Sequence, residues 1–148
     1  VISLAKAKEI TATKLATLRP GTKTKVAAWL DDCQAAGLHI YVYEGLRSPE
    51  RQAELFAQGR TVRGKKVTNA GPWQSMHQYG LAVDFVTLKP HAKAAGMFDA
   101  AWDDEKAYAK AHALAVKRGL RKISWETPHL EDAGYRDWQH AKQTFGTK

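Results

Sequence analysis

With one cysteine, Cys33, among 148 residues, the chain can form no internal disulfide. It folds on buried apolar surface, which suffices for one domain of this length. Cys33 stands at helical spacing from Val26, Trp29 and Leu30, as a small buried hydrophobe does, so it does not decide the redox compartment. No apolar run approaches the ~20 residues needed to span a membrane. The opening stretch, Val1 to Lys8, has neither an initiator Met nor a signal-type apolar core, and export is not legible from it. Internal repeats and low-complexity segments are absent. Acidic residues are the scarcer sign: 15 Asp and Glu against 23 Lys and Arg leave a formal charge of +8. That balance favours encounter with an anionic partner and says nothing about the fold. No helix-turn-helix, zinc-finger or RNA-binding signature accompanies it, which weighs against a nucleic-acid binder.

Residues 2–17 read as a helix broken at Pro20-Gly21. A second helix spans about Lys23–Ala36, with Thr22 as a candidate cap and Gly37 as its stop. The β-formers of 38–43 predict a strand. Ser48-Pro49-Glu50 starts a helix that ends near Gly59: a capping hydroxyl, a proline suited to the first turn, and an acid that complements the helix dipole. Residues 61–73 are polar and predict a loop or loose hairpin, 81–86 a strand, and 103–118 a helix stopped by Gly119. Leu120–Ser124 and His129–Glu131 read as short strands flanking a turn at Pro128, and 134–145 as a last helix. The irregular alternation predicts an α+β fold, helices packed on a small, mostly antiparallel sheet, in a single domain over 1–148.

Asp84 interrupts an otherwise apolar strand, and a buried carboxylate requires a cation or strong donors. His77 precedes it by seven residues, with a turn plausible at Tyr79-Gly80, so a loop histidine and a strand aspartate can converge. Glu126 and His129 lie three apart around Pro128. If His129 binds a metal, Glu126 can lie beside the water that the metal activates. Two histidines, one aspartate and an open fourth position describe a catalytic rather than a structural site. Arg47, between a strand and a helix start, offers a fixed guanidinium for an oxyanion or a substrate carboxylate. Each residue also has an ordinary reading: His77 as a hydrogen-bonded surface residue, Asp84 in a salt bridge, Arg47 as a surface charge.

The run Ser75-Met76-His77-Gln78-Tyr79-Gly80-Leu81-Ala82-Val83-Asp84-Phe85 resembles the His/Asp motif of the M15 metallopeptidases. These comprise VanY- and VanX-type D-alanyl-D-alanine peptidases and phage-type L-alanyl-D-glutamate endopeptidases. Gly45 to Arg60 looks like that family's arginine segment, and Glu126-Thr127-Pro128-His129-Leu130-Glu131 like its terminal acid-x-x-His motif. The resemblance covers about residues 40–131 in the right order. It implies Zn2+ held by His77, Asp84 and His129, Glu126 as general base, Arg47 stabilising the tetrahedral state, Ser75 as a supporting hydrogen-bond partner, and a structural role for Gln52. It also implies the small α+β fold that these peptidases share with the hedgehog signalling domain. Asp137-Trp138-Gln139-His140 repeats the acid-x-x-His spacing, which makes His140 a rival third ligand. His129 is preferred because Pro128 and Leu130-Glu131 match the family pattern. Leu120–Trp125 lacks the Gly-Gly-Asp-Trp-like stretch of many endolysins, so the motifs leave the cleaved bond open.

The expected activity is hydrolysis of an amide in the peptidoglycan stem peptide, at the L-alanyl–D-glutamate bond, by a monomeric phage-type endolysin. Such an enzyme is made in the host cytoplasm, released at lysis, and acts on the cell wall. The positive charge suits anionic envelope polymers as additional partners; no nucleic acid and no membrane span are expected. The alternative is a D-alanyl-D-alanine carboxypeptidase on the same scaffold. A binding domain that merely retains the metal is disfavoured by the presence of Glu126.

Overall fold

The computed structural model describes residues 1–147. In chain order the elements are β1 (Ile2–Ser3), α1 (Leu4–Leu15), α2 (Pro20–Ala35), β2 (His39–Glu44), α3 (Pro49–Ala57), a 3-10 turn (Met76–Tyr79), β3 (Ala82–Pro90), β4 (Met97–Ala100), α4 (Glu105–Val116), β5 (Leu120–Ile123), β6 (Glu126–Asp132) and α5 (Trp138–Phe145). Among the described residues six strands make one antiparallel sheet, with helices packed on it, as the alternation of elements predicts. β3 is its centre. β2 runs along one edge of β3, while β6 and β4 share the other edge, pairing with its beginning and its end.

Local chemistry explains where the element boundaries depart from the expected ones. Ile2 pairs with Phe98 as a short strand. The first helix therefore starts at Leu4, where the Ser3 hydroxyl caps it by accepting from the Lys6 N–H at 3.1 Å. The second helix starts at Pro20 rather than Lys23, because proline needs no donor at a helix's first position and its φ is already helical. Thr22 is consequently not a cap. It lies buried inside the first turn and donates to Asp132 Oδ2 at 2.7 Å. β3 continues past residue 86 to Pro90, where it meets β4, a strand with no clear signal of its own.

The expected turn at Pro128 is wrong. The β5–β6 turn falls at Ser124-Trp125, and Pro128 lies within β6. Between Lys122↔Leu130 and Ile123↔Glu126 the register with β5 slips, so Thr127, Pro128 and His129 bulge out of that ladder. A proline, having no N–H to contribute, is tolerated at such a bulge. The last helix begins at Trp138, not 134, because Asp137 caps it by accepting from His140 N–H at 2.9 Å. The turn 133–137 is thereby left free to form a cleft wall.

Trp29 anchors the main core, edge-on to Phe85 with ring centroids 4.9 Å apart and its indole N–H on the Ala111 carbonyl at 2.8 Å. Val42, Val83, Leu130 and Tyr108 pack around them. A second cluster of Met76, Tyr79, Leu81, Ala82 and Ala141 underlies the 3-10 turn and so supports His77 from below.

Candidate metal centre and cleft

Asp84 stands between Glu44 of β2 and His129 of β6 in the sheet register. A bulge at Tyr43, between the Val42 and Glu44 pairings, is what brings Glu44 opposite Asp84. Such irregularities re-aim side chains next to functional sites. Facing like charges destabilise a sheet. Here Arg47 offsets them by donating from Nε to Glu44 at 3.1 Å and from Nη2 to Asp84 Oδ2 at 3.2 Å. Its Nη1 donates to Gln52 Oε1 at 2.9 Å.

His77 arrives from the 3-10 turn. Ser75 and Gln78 form a capping box at its start, the Ser75 hydroxyl accepting from the His77 N–H at 3.3 Å. Gly80, at φ +70, ends the turn in the left-handed region where a side chain is strained. The chain is thus led directly into β3. His77 Nε2 lies 3.1 Å from Asp84 Oδ1, and His129 Nδ1 lies 3.3 Å from the same oxygen. All three ligand-type atoms fall within 4.8 Å of one another.

Both imidazoles are fixed from behind. His77 Nδ1 donates to the Gly45 carbonyl at 2.9 Å; a carbonyl can only accept, so in the neutral ring the lone pair lies on Nε2, facing Asp84. His129 Nε2 donates to Glu131 Oε1 at 2.9 Å, which leaves Nδ1 for the same point. Burial works against an ionised Asp84, yet the two imidazoles outweigh it and hold the carboxyl far below the usual range. Burial likewise disfavours charge on His129, but Asp84 and Glu131 overcome it and raise its pKa to about 9. The point where the three side chains meet therefore favours a positive charge, as a divalent metal ion would supply.

Glu126, more exposed at 44%, brings its Oε2 to 3.9 Å from His129 Nδ1, at the open side of the cluster. His77 and His129 lie in the wall of a cleft of about 630 Å³, also lined by Arg47, Ser75, Glu126, Trp125 and residues Arg136 to Gln139 at the start of α5. All six residues singled out in the sequence, Arg47, Ser75, His77, Asp84, Glu126 and His129, thus share one site. Gln52 is buried, spanning Arg47, Gln78 and the Ala70 carbonyl at 2.9, 3.1 and 2.7 Å. His140 does not join them: its Nδ1 accepts from the Arg136 N–H at 3.1 Å. His91 pairs with Asp99 and His112 with the Thr127 carbonyl.

Sequence reasoning did not assign Glu131 a role, although its i+2 spacing from His129 places both on one strand face. It also missed Arg121, whose Nε and Nη2 hold Glu131 Oε2 at 3.2 and 2.5 Å. Nothing local marks that pair, because it forms across the β5–β6 ladder, where Arg121 faces Glu131.

Residues 15–142 match the family model described as VanY: D-alanyl-D-alanine carboxypeptidase. The chain belongs to this family. Among the relatives of this VanY-family chain is the peptidoglycan L-alanyl-D-glutamate endopeptidase CwlK of Bacillus subtilis (strain 168). The two are 40% identical over 72 residues, which are 49% of this chain and 43% of that protein. The chain therefore spans less than half of that curated relative. Three solved structures share the VanY-family fold. The LdcB LD-carboxypeptidase has a TM-score of 0.58 at 21% identity, over 85% of this chain and 62% of that one. The Serratia marcescens L-Ala D-Glu endopeptidase ChiX has a TM-score of 0.54 at 21% identity, over 82% and 85%. The vancomycin-resistance D,D-pentapeptidase VanY, solved as a mutant in complex with Zn(II), has a TM-score of 0.58 at 19% identity, over 85% and 76%.

Proposed function

We propose that this chain is a zinc-dependent peptidase domain that hydrolyses an amide of the peptidoglycan stem peptide, at the L-alanyl–D-glutamate bond. The observation that carries the reading is the convergence of His77 Nε2, Asp84 Oδ1 and His129 Nδ1. Zinc bonds of about 2.0–2.1 Å in tetrahedral geometry set ligand atoms roughly 3.3 Å apart. The two imidazole nitrogens stand 3.1 and 3.3 Å from the carboxylate oxygen, and all three atoms lie within 4.8 Å of one another, so the donor set fits the ion in chemistry and in its nitrogen–oxygen spacings. The zinc-bound VanY structure supports the metal, and the CwlK likeness supports the bond.

His77, Asp84 and His129 would hold the ion beside the cleft. Bound zinc supplies Lewis acidity at a carbonyl and brings the pKa of a water toward about 7. Glu126, at the open side, takes the proton of the attacking water and returns it to the leaving amine. Arg47 spends three of its five N–H groups on Glu44, Gln52 and Asp84. The two that remain can face the developing oxyanion. Ser75 acts through the His77 backbone rather than as a nucleophile.

Glu126→Gln leaves zinc bound and lowers kcat by about 10²–10⁴; near-normal turnover of stem peptide by this variant sinks the role. A second reading, D-alanyl-D-alanine carboxypeptidase, is favoured by the family model itself. Product masses from defined muropeptides separate the two, since release of free D-alanine belongs only to the second.

A further inference from the structure

Three arginines line the cleft: Arg47, Arg121 and Arg136. Two are committed, Arg47 to Glu44 and Asp84 and Arg121 to Glu131. Arg136 is exposed, and among the described residues its guanidinium has neither an ion pair nor a hydrogen bond; only its backbone N–H is engaged, on His140 Nδ1 at 3.1 Å. The main chain beneath it is fixed on both sides. Arg121 Nη2 holds the preceding carbonyl, that of Tyr135, at 2.7 Å, and Asp137 caps α5 immediately after. A fixed backbone thus presents an uncommitted cation to the same cleft as Glu126 and the two imidazoles.

We infer that Arg136 is the anchor for a carboxylate on the leaving half of the substrate. The inference rests on the peptidase reading and deepens it. In a stem peptide whose D-glutamate continues through its side chain, the α-carboxylate stays free, one carbon from the scissile nitrogen. In a D-alanyl-D-alanine terminus a carboxylate occupies the same place relative to the bond. The two candidate bonds therefore share one chemical feature beyond the amide, an anion on the α-carbon of the leaving residue. A planar guanidinium fork matches a carboxylate in charge and in geometry.

The experiment pairs a substrate change with a residue change. The full chain, loaded with zinc, is given stem peptides carrying either the free α-carboxylate or its carboxamide at D-glutamate, and D-alanyl-D-alanine peptides with a free or an amidated terminus. For the bond that is cut, kcat/KM favours the carboxylate by about ten- to a hundredfold, the effect of one charge-assisted contact. In Arg136→Gln that preference collapses toward unity, and Arg136→Lys, which keeps the charge without the fork, restores part of it. Zinc content and thermal midpoint stay at the wild-type level in both variants, because the exposed guanidinium makes no hydrogen bond or ion pair among the described residues. A wild type indifferent to amidation, or an Arg136→Gln that keeps the full preference, overturns the inference while leaving the peptidase reading intact. A wild type that cuts neither bond removes that reading, and the anchor with it.

Discussion

Glu131 shows how much of the site depends on residues that need not touch a substrate. Buried at 8% exposure, it accepts from His129 Nε2 and is held by Arg121. Burial would raise its pKa, but His129 and Arg121 together hold it below the ordinary carboxylate value. A carboxylate behind a metal-binding imidazole fixes the ring and increases its basicity, and losing such a partner typically costs 10–100-fold in metal affinity. On the proposed zinc reading, Glu131→Gln weakens zinc binding by about that factor while the metal-free protein keeps its circular dichroism. A chelator-competition titration measures it, and an unchanged Kd refutes it. Asp84, His77 and His129 were legible because chemistry-bearing residues stood out against apolar or motif-bearing surroundings. Arg121 was not, since an arginine on a short strand is unremarkable until its neighbour across the ladder is known.

Among the elements, the loop between β2 and α3 is set by a close approach rather than by a turn type. A Cβ on Gly45 would lie 2.5 Å from Thr17 Oγ1 and 2.6 Å from the Lys14 carbonyl at the end of α1. Only glycine lets that loop pass and place its carbonyl on His77 Nδ1. Gly45→Ala displaces the carbonyl, so the expected outcome is a stability loss of about 1–3 kcal/mol from overpacking, together with reduced zinc retention. Differential scanning calorimetry and metal analysis on the same sample check both. α2 and the end of β6 are joined in a comparable way by Asp132, which accepts from Thr22 and Gly134 and pairs with Lys25. Burial pushes its pKa up, but Lys25, Thr22 and Gly134 prevail and lower it from the ordinary 3.8. Its folded-state pKa lies below the unfolded one, so its contribution is complete above about pH 4 and is lost as pH falls through the folded value. Asp132→Asn should therefore cost about 2 kcal/mol at pH 7, and the gap between the two proteins should narrow steadily below pH 4 in thermal melts. A gap that stays constant as pH falls below 4 rejects this account.

At the scale of the whole molecule, the proposed ion ties together the 3-10 turn, the central strand and β6, so its removal acts on the fold as well as on activity. A ligand present at a thousand times its Kd stabilises by about 4 kcal/mol. For a chain of this size that corresponds to roughly 8–16 °C in Tm. Chelation should lower the midpoint by that order, and added zinc should restore it. An unchanged Tm on chelation would mean that no ion is held. The formal charge of +8 acts at this scale too, favouring approach to an anionic envelope in a way that salt screens.

The order of most elements, the α+β class and the six side chains proposed for the site were already legible in the amino-acid sequence. Periodicity, capping chemistry and isolated charges are local signals, and they survive without knowledge of the fold. Three matters were decided only by tertiary structure. The Tyr43 bulge, which brings Glu44 opposite Asp84, and the β3–β6 pairing, which brings His129 there from the other side, arise from register between strands far apart in the chain. The fixing of both imidazoles by Gly45 and Glu131 depends on where a carbonyl and a neighbouring strand come to rest. The difference between committed Arg47 and Arg121 and uncommitted Arg136 depends on which acceptors lie within reach. Register, reach and commitment belong to pairs of residues, and a linear sequence specifies its residues one at a time.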